Sequence, residues 1–321
     1  MVSAALLTVA LVGCGQTGPS EEPAQGEQPT VVTISEEPAD PSAEPSEAPT
    51  GDVDLVPRAF DEYSWDELAG IARLIEAAGS VDEGRAIAAE YGLIEADGTI
   101  TTQTRTISLA NGVECDVRVV GILHDELADG SGLAGITFAT GAIDVQPMNG
   151  SAVAAGGWEA CELRSWLASD GLALFPQDLA GLIVPVSKAT NNVGVTNTSD
   201  SVTLTSDALW LFSPREVCGE IDWFADEFGG GFAYMDSVLN AEGQQYEAFA
   251  QAGVAASTDP NHVLATTIGG QKCPWWYRSP YPLNANDTSD PGVFYQVMSS
   301  GYPSSVGQAD VAVGVVVGFC L

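Results

Sequence analysis

Residues 15–57 constrain the fold of this chain most, because their composition excludes them from a packed core. They hold ten of the 44 acidic residues and eight of the 18 prolines in the 321-residue chain, and no lysine or arginine. Such a segment cannot bury enough apolar surface to offset the entropy of ordering it. We expect residues 15–57 to form a disordered tether, which proline and charge repulsion extend to roughly 100 Å. The folded part must therefore begin after this segment.

The N-terminus has the pattern of a bacterial lipoprotein signal. An uncharged run, Val2–Val12, ends in Leu11-Val12-Gly13-Cys14, which resembles a lipobox, although no basic residue precedes it. The run is too short to span a bilayer, which takes about 20 apolar residues. We expect residues 1–14 to be a lipoprotein signal peptide and Cys14 to carry the lipid. The membrane is then a partner through this lipid, at the extracellular face of the cell membrane.

The charge of the chain excludes one class of partner. The net charge is −34 and the isoelectric point is about 4.1. A domain this acidic repels phosphate backbones, so we predict no nucleic-acid partner. It also offers no basic patch to anionic lipids, so membrane contact should come from the lipid alone.

Five cysteines remain besides Cys14, and an odd set in an exported protein predicts at least one free thiol. Cys115 is the best candidate, because it alternates in step with Val113, Val117 and Val119 on the face of a strand that should be buried. No C-x-x-C pair is present and the chain has two histidines, so we predict no zinc site.

Residues 58–100 are predicted to form a helical lead-in to the main domain. Ser64 and Glu67 have the spacing of a capping box, and apolar residues follow at helical intervals up to Gly79. Ser80 and Glu83 repeat the device at the start of a second helix.

From residue 101 the apolar pattern changes to a period of two, which predicts strands. Residues 101–109 and 113–122 flank Asn111-Gly112, a strong hairpin signal. Further strands are predicted at 135–140, 208–212, 275–279 and 311–319, and a helix at 158–167. Because strand and helix do not alternate regularly, we predict an α+β domain over residues 101–321, with a mostly antiparallel sheet and a few helices.

The groups that could carry catalysis or bind a metal also fit plain structural roles. A Cys–His hydrolase needs a thiolate beside an imidazole, and His124 reads more simply as a solvated residue at a strand end. Asp125, Asp129 and Ser131 could supply oxygens to calcium, but they lack the alternating spacing of a dedicated loop. We therefore predict no metal, cofactor or catalytic site.

The segment Trp275-Trp276-Tyr277-Arg278 is predicted to be a strand with at least one face in the core. A charged residue inside such a strand should be paired with an acid, and Glu216 or Glu159 could serve for Arg278.

The segment after Pro280 is rich in tyrosine and asparagine, which recognise partners at little entropic cost. We predict that any ligand surface lies there, on Tyr281, Asn284, Asn286, Asp287, Tyr295 and Tyr302.

One disulfide can be proposed from strand register. If residues 275–279 pair antiparallel with the last strand, Cys273 lies opposite Cys320, within disulfide range. Cys161 and Cys218 would then be reduced or paired with each other.

Motifs spread over roughly residues 101–321 resemble a family of uncharacterised domains in surface proteins and lipoproteins of Gram-positive gut bacteria. The segments that carry the resemblance include His124-Asp125-Glu126-Leu127, Gly156-Gly157-Trp158-Glu159, Leu163-Arg164-Ser165-Trp166, Leu209-Trp210-Leu211-Phe212-Ser213, Glu242-Gly243, Gln245-Tyr246, Trp275-Trp276, Arg278-Ser279-Pro280 and Gly318-Phe319-Cys320. This resemblance implies no activity, because none is assigned to the family. A weaker resemblance to C-type-lectin-like domains, a fold shared with formylglycine-generating enzymes, implies fold alone. The calcium and sugar motifs of true C-type lectins are absent from the sequence.

The sequence thus favours a membrane-anchored extracellular lipoprotein that acts as a non-catalytic binding module for a glycan, peptide or other surface ligand. Two alternatives stay open. One is an extracellular enzyme on the same scaffold, either a hydrolase or an oxidase of the formylglycine-generating type, and the other is a structural protein of the cell envelope.

Overall fold

The structure is a computed structural model that describes residues 55–282 and 289–321. The α-helices of these residues are α1 (Trp65–Glu76), α2 (Val81–Glu90), α3 (Glu162–Trp166), α4 (Gln177–Ala180), α5 (Pro214–Cys218), α6 (Trp223–Phe228), α7 (Ala233–Asn240) and α8 (Glu247–Gln251). The strands are β1 (Thr104–Ser108), β2 (Glu114–Ile122), β3 (Ile136–Gln146), β4 (Val186–Asn191), β5 (Val202–Asp207), β6 (Trp210–Leu211), β7 (Thr266–Ile268), β8 (Gln271–Cys273), β9 (Trp275–Pro280), β10 (Val293–Val297), β11 (Ser305–Gln308) and β12 (Val313–Cys320). The signal peptide predicted at 1–14, the lipidation of Cys14 and almost all of the tether predicted at 15–57 lie outside the described residues.

The main sheet has the order β1-β2-β3-β12-β9-β10-β11, with the short β6 also pairing with β12. Its pairs are antiparallel except for β12 and β9, which are parallel. The pairs β4–β5 and β7–β8 form two separate hairpins. The prediction of an α+β fold with a mostly antiparallel sheet is confirmed, while the C-type-lectin-like architecture stays a prediction.

The local signals in the first half of the domain form the predicted elements. The Ser64 hydroxyl accepts a hydrogen bond from the Glu67 amide at 3.2 Å, and the Glu67 carboxylate accepts one from the Ser64 amide at 2.7 Å. The second cap agrees with the prediction in one of its two hydrogen bonds. The Ser80 hydroxyl accepts from the Glu83 amide as predicted, but the Glu83 carboxylate accepts from the amide of Gly79 instead of the amide of Ser80. Both α1 and α2 pack into the same core as the sheet. The helical lead-in and the sheet therefore belong to one folded unit.

The hairpin β1–β2 turns at Asn111-Gly112, as predicted. Gly112 has a φ of 83°, a left-handed conformation that glycine adopts without steric cost. Residues of β2 then alternate between the two faces of the sheet: Cys115 and Val117 pack into the core beside α1, while the intervening side chains point the other way.

The sheet is covered on both faces, and its central strand is β12. All eight residues of β12 are buried. One core cluster contains Trp65, Phe138 and Phe319, and the other contains Phe212 and Tyr277. None of the helices in the described residues has the length and hydropathy needed to span a bilayer.

The predicted helix at 158–167 is shorter than expected. Cys161 precedes α3, which continues into a π-helical turn over Leu167–Gly171. Trp158 lies before the helix in a turn, where its indole donates to the Asp207 carboxylate at 3.1 Å. The Gly156-Gly157 pair thus leads into a turn first, because both glycines have positive φ.

The predicted disulfide between Cys273 and Cys320 is wrong, because the strand register is different. β9 meets β12 in parallel, with Trp275 opposite Gly314, and both cysteines are free thiols. Cys273 therefore lies near Gly314, six residues before Cys320, which is about 20 Å along a strand. Cys161 and Cys218 are also free.

Candidate functional site

The predicted ligand surface after Pro280 is divided between core and surface. Tyr295 is 3% exposed, so its placement on a ligand surface is wrong. Its ring lies 5.0 Å from that of Trp223 and 5.6 Å from that of Tyr281, because β10 is an inner strand with both faces covered. Tyr281 is half-buried and Tyr302 is 43% exposed. Asn284, Asn286 and Asp287 lie outside the described residues.

The aromatic run of β9 belongs to the core on both faces. Trp276 packs in the cluster beside α1, while Trp275 and Tyr277 pack together in the other cluster with ring centroids 5.2 Å apart. The expectation of at least one buried face is confirmed. These rings therefore support the sheet instead of contacting a ligand.

Five ionisable side chains form a buried charge cluster: Asp125, Lys188, Glu216, Glu242 and Arg278. Each is 4% exposed or less. The Lys188 ammonium lies 2.7 Å from the Asp125 carboxylate and 2.5 Å from that of Glu216. These residues come from β4, α5, β9 and two loops, so the cluster joins elements that are distant in sequence.

Arg278 is paired with Glu216, one of the two partners predicted for it. Its guanidinium contacts both carboxylate oxygens of Glu216, one of them at 3.0 Å. The remaining hydrogen bonds go to the Thr190 hydroxyl and to three backbone carbonyls, those of Ala189, Leu211 and Glu242. Every N–H group of this guanidinium therefore has an acceptor.

Glu242 balances the charge of the cluster. Burial raises the pKa of its carboxyl group to about 7, although Arg278 acts in the opposite direction. One oxygen accepts from the Asn191 amide at 2.8 Å, and the other contacts the Ser279 hydroxyl. With Glu242 protonated, two cations face two anions and the cluster is neutral.

The groups considered for calcium or nucleophilic catalysis have structural partners. The Asp125 carboxylate accepts from Lys188, from the Tyr246 hydroxyl at 2.9 Å and from the Thr137 hydroxyl at 2.7 Å. Asp129 accepts from the Ser131 amide in a tight turn. The His124 ring stacks on Tyr246, 4.1 Å away. In residues 55–282 and 289–321 no group of three histidines, cysteines or acids is arranged to hold a metal ion.

A cleft of about 480 Å³ opens between the β1–β2 edge of the sheet and the segment 263–267. We call it the Arg118 cleft. Small residues, Ala139 and Gly141 of β3 among them, line it at the sheet, so a ligand could approach the backbone closely. This volume is within the range of small-ligand sites.

Polar side chains line one wall of the Arg118 cleft. Glu114, Asp116 and Arg118 alternate along β2 on the face opposite Cys115 and Val117, and all three border the cleft. Thr104 and Thr106 of β1 lie beside them, opposite Arg118 and Asp116 in the strand register. The cleft therefore offers two acids, one cation and two hydroxyls within a short distance.

Cys115 is a free, buried thiol, as predicted. It also borders the cleft. Burial raises the pKa of this thiol to about 12, so it stays protonated at neutral pH and is a poor nucleophile.

Sequence reasoning missed the cleft, although part of its signal was present. The alternation that predicted Cys115 to be buried also places Glu114, Asp116 and Arg118 together on the opposite face. The second wall, residues 263–267, comes from a segment about 145 positions later, and no local pattern connects the two.

Comparison with known proteins identifies a family. Residues 122–321 match a protein family described as a domain of unknown function (DUF6273). No curated protein and no solved structure matches the chain. The matched region contains the whole buried charge cluster, and Arg118 lies four residues before it begins.

Proposed function

The chain belongs to the DUF6273 family of unknown function, and we propose that it is a non-catalytic binding module displayed outside the cell on a lipid anchor. The Arg118 cleft is its ligand site. The observation that carries this proposal is a cleft of ligand size in which polar side chains from two neighbouring strands converge.

The architecture of the cleft supports ligand binding. Its sheet wall is rigid, since β2 is paired on both sides, with β1 and β3. Its opposite wall is tied down by Asp259, whose carboxylate accepts from the amides of Val263 and Leu264 at 3.0 Å each. A site held by such supports loses little entropy when a ligand binds.

The chemistry of the cleft favours binding over nucleophilic catalysis. Its one thiol, Cys115, is kept protonated, and no histidine of the described residues borders the cleft. A nucleophile of this kind needs a base within hydrogen-bond reach.

One observation favours an enzyme as the second candidate. Glu114 and Asp116 both border the cleft, and glycoside hydrolases use a pair of carboxyl groups. Both side chains are exposed, however, whereas the acid of such a pair is usually kept protonated by apolar surroundings.

The location outside the cell rests on the sequence. The lipobox at Cys14 and the acidic, proline-rich residues 15–57 support an anchored domain carried away from the membrane. We expect the full chain, made in a Gram-positive host with a basic start added before Val2, to partition into detergent. Cys14→Ala should abolish this partitioning, and unchanged partitioning would contradict the anchor.

The binding role is tested by blocking the cleft in the full chain. Thr104 is exposed and lies beside Arg118, so Thr104→Trp fills the cleft without disturbing the core. Thr102→Trp is the matched control, because Thr102 is also exposed but does not border the cleft. Both variants and the parent are applied to an array of glycans and cell-surface peptides.

We expect a retained ligand to be lost with Thr104→Trp and kept with Thr102→Trp. Equal retention by the parent and Thr104→Trp, or failure of the array to retain the parent, would overturn the proposal. If the parent chain releases a cleaved glycan and Asp116→Asn stops this release, the protein is a hydrolase and the proposed binding role is wrong.

A further inference from the structure

We propose that the Arg118 cleft recognises an acidic sugar residue through its carboxylate, which Arg118 binds, while Glu114 and Asp116 restrict the site to ligands with one negative charge. This inference rests on the proposed binding role of the cleft and names its ligand class.

Arg118 has donors to spare. Its guanidinium donates one hydrogen bond, to the Val263 carbonyl at 3.0 Å, and its carbon lies 5.3 Å from the centre of the Phe249 ring. No other hydrogen-bond partner of this side chain exists among the described residues. No nitrogen of the Arg118 side chain is enclosed in the protein without a hydrogen-bond partner. The donors that make no hydrogen bond are therefore accessible from the cleft.

The nearest acid does not neutralise Arg118. Asp259 acts on it through space, but its carboxylate is held by two backbone amides and makes no ion pair with Arg118 within 4.0 Å. Burial lowers the pKa of the Arg118 guanidinium, yet an arginine remains charged at any physiological pH. A half-buried guanidinium with unused donors beside a cleft can pair with an anion that enters it.

Other arginines show what the chain does with a structural guanidinium. Arg58, Arg85 and Arg164 each form an ion pair, at 3.0, 2.6 and 2.6 Å, with Glu67, Glu247 and Asp207 respectively. Arg278 is paired in the buried charge cluster. Within the described residues, Arg73, Arg105 and Arg215 have no ion pair within 4.0 Å either, and Arg118 differs from all seven in bordering this cleft.

The two acids beside Arg118 narrow the choice of anion. Alternate residues of a strand are about 6.6 Å apart, so Asp116 and Glu114 lie about 7 and 13 Å from Arg118 along β2. A doubly charged phosphate or a polyanion would be repelled by them. A single carboxylate with neighbouring hydroxyl groups fits, because hydroxyls can donate to Asp116 and Glu114.

The remaining contacts favour a sugar ring. The hydroxyls of Thr104 and Thr266 border the cleft and can exchange hydrogen bonds with ring hydroxyls. The small residues Ala139 and Gly141 line the cleft at the sheet and leave room for a ring. A planar carboxylate matches the fork of a guanidinium, which Lys cannot reproduce.

The test compares matched ligand pairs in calorimetric titrations of the full chain. The charged probes are D-glucuronate, D-galacturonate and N-acetylneuraminate, each paired with a neutral counterpart, D-glucose, D-galactose and the methyl ester of N-acetylneuraminate. N-acetyl-alanyl-alanine and its amide form the peptide arm.

Arg118→Gln should weaken binding of the carboxylated sugar by about 30-fold or more, and Arg118→Lys by about tenfold. The neutral counterpart should lose no affinity with Arg118→Gln. Arg105→Gln is the matched control, because Arg105 also binds one carbonyl, that of Tyr63, and lies 4.1 Å from the Trp65 ring, but does not border the cleft.

Asp116→Asn tests the selection against further charge. In the parent chain the Thr106 hydroxyl donates to the Asp116 carboxylate at 2.7 Å, and the asparagine keeps an oxygen for this hydrogen bond. Because the substitution removes a negative charge, it should raise the affinity for glucuronate 1-phosphate several-fold. This gain cannot come from misfolding.

The outcomes separate this inference from the proposed function. In one outcome, neutral and charged sugars bind equally well, with an affinity that falls with Thr104→Trp and is unchanged with Arg118→Gln. This result would overturn the recognition of a carboxylate, while the binding role of the cleft would stand. Preference for the peptide over every sugar would overturn the sugar class. Binding that ignores Thr104→Trp would overturn both.

Discussion

Arg278 and Arg118 lie on strands of the same sheet, yet their guanidinium groups meet opposite surroundings. Arg278 is fully buried and its donors are taken up by Glu216, Thr190 and backbone carbonyls. Arg118 has the Val263 carbonyl and an open cleft. A guanidinium whose partners are all internal holds elements together, whereas one with unfilled donors at a cleft is available to a ligand. The burial of a charge alone does not separate the two roles, but the count of its partners together with an adjoining cleft does.

The largest effect should come from removing the closed arginine. Arg278→Met leaves Glu216 short of a counter-ion and deprives three carbonyls of a donor, so we expect a loss of about 4 kcal/mol or more in the free energy of unfolding. Urea denaturation of the full chain measures it. Replacing Glu216 by Met as well should recover part of this loss, because no unpaired charge then remains from the pair. A loss below about 1 kcal/mol for Arg278→Met would contradict the structural role of the cluster.

The second effect depends on pH and concerns Glu242. The pKa of this carboxyl is about 7 in the folded chain against 4.5 in the unfolded one, so the folded state holds the proton more tightly. The resulting stabilisation is complete below pH 4.5 and is lost as the pH rises through 7. Glu242→Gln keeps the shape of the protonated group and does not titrate.

Between pH 5 and pH 8 the parent should therefore lose about 2–3 kcal/mol more stability than Glu242→Gln does. Denaturant titrations at several pH values compare the two chains. Glu90→Gln, at an exposed position at the end of α2, serves as the control substitution. Parallel pH profiles for the parent and Glu242→Gln would mean that Glu242 is ionised in the cluster.

The smallest effect on stability should come from the open arginine. Arg118→Gln removes one hydrogen bond and a contact with Phe249, so we expect a loss of about 1 kcal/mol in the free energy of unfolding. Thermal unfolding measures it beside the same change at Arg105. A loss as large as that of Arg278→Met would show that Arg118 is structural, and the contrast between the two arginines would fail.

The sequence predicted those features of the molecule that depend on neighbouring residues. The cap at Ser64, the turn at Asn111-Gly112 and the burial of Cys115 follow from spacing within a few positions. The pairing of Arg278 with Glu216 was also within reach, because a charge inside an apolar strand requires a partner and few acids lie near apolar segments.

Features that depend on distant pairing were beyond this reasoning. No sequence pattern near residues 275–279 indicates that β9 lies parallel to β12. Because the two strands are parallel, Cys273 and Cys320 are far apart. Tyr295 looked like a surface residue because its segment is polar, but the rings of Trp223 and Tyr281 cover it. The Arg118 cleft needs two walls that are far apart in sequence, so one wall alone read as an ordinary exposed strand face.

The place of β12 in the sheet has a consequence for the order of folding. By strand pairing, β1–β3 on one side and β9–β11 on the other are joined through residues 313–320. A ribosome releases these residues after all the strands that they pair with, at roughly 5–20 residues per second. Until residues 313–320 are released, the chain therefore lacks its central strand and cannot close the sheet. The edges of β3 and β9 that pair with this strand stay open until then, so the growing chain exposes backbone groups that the finished sheet satisfies.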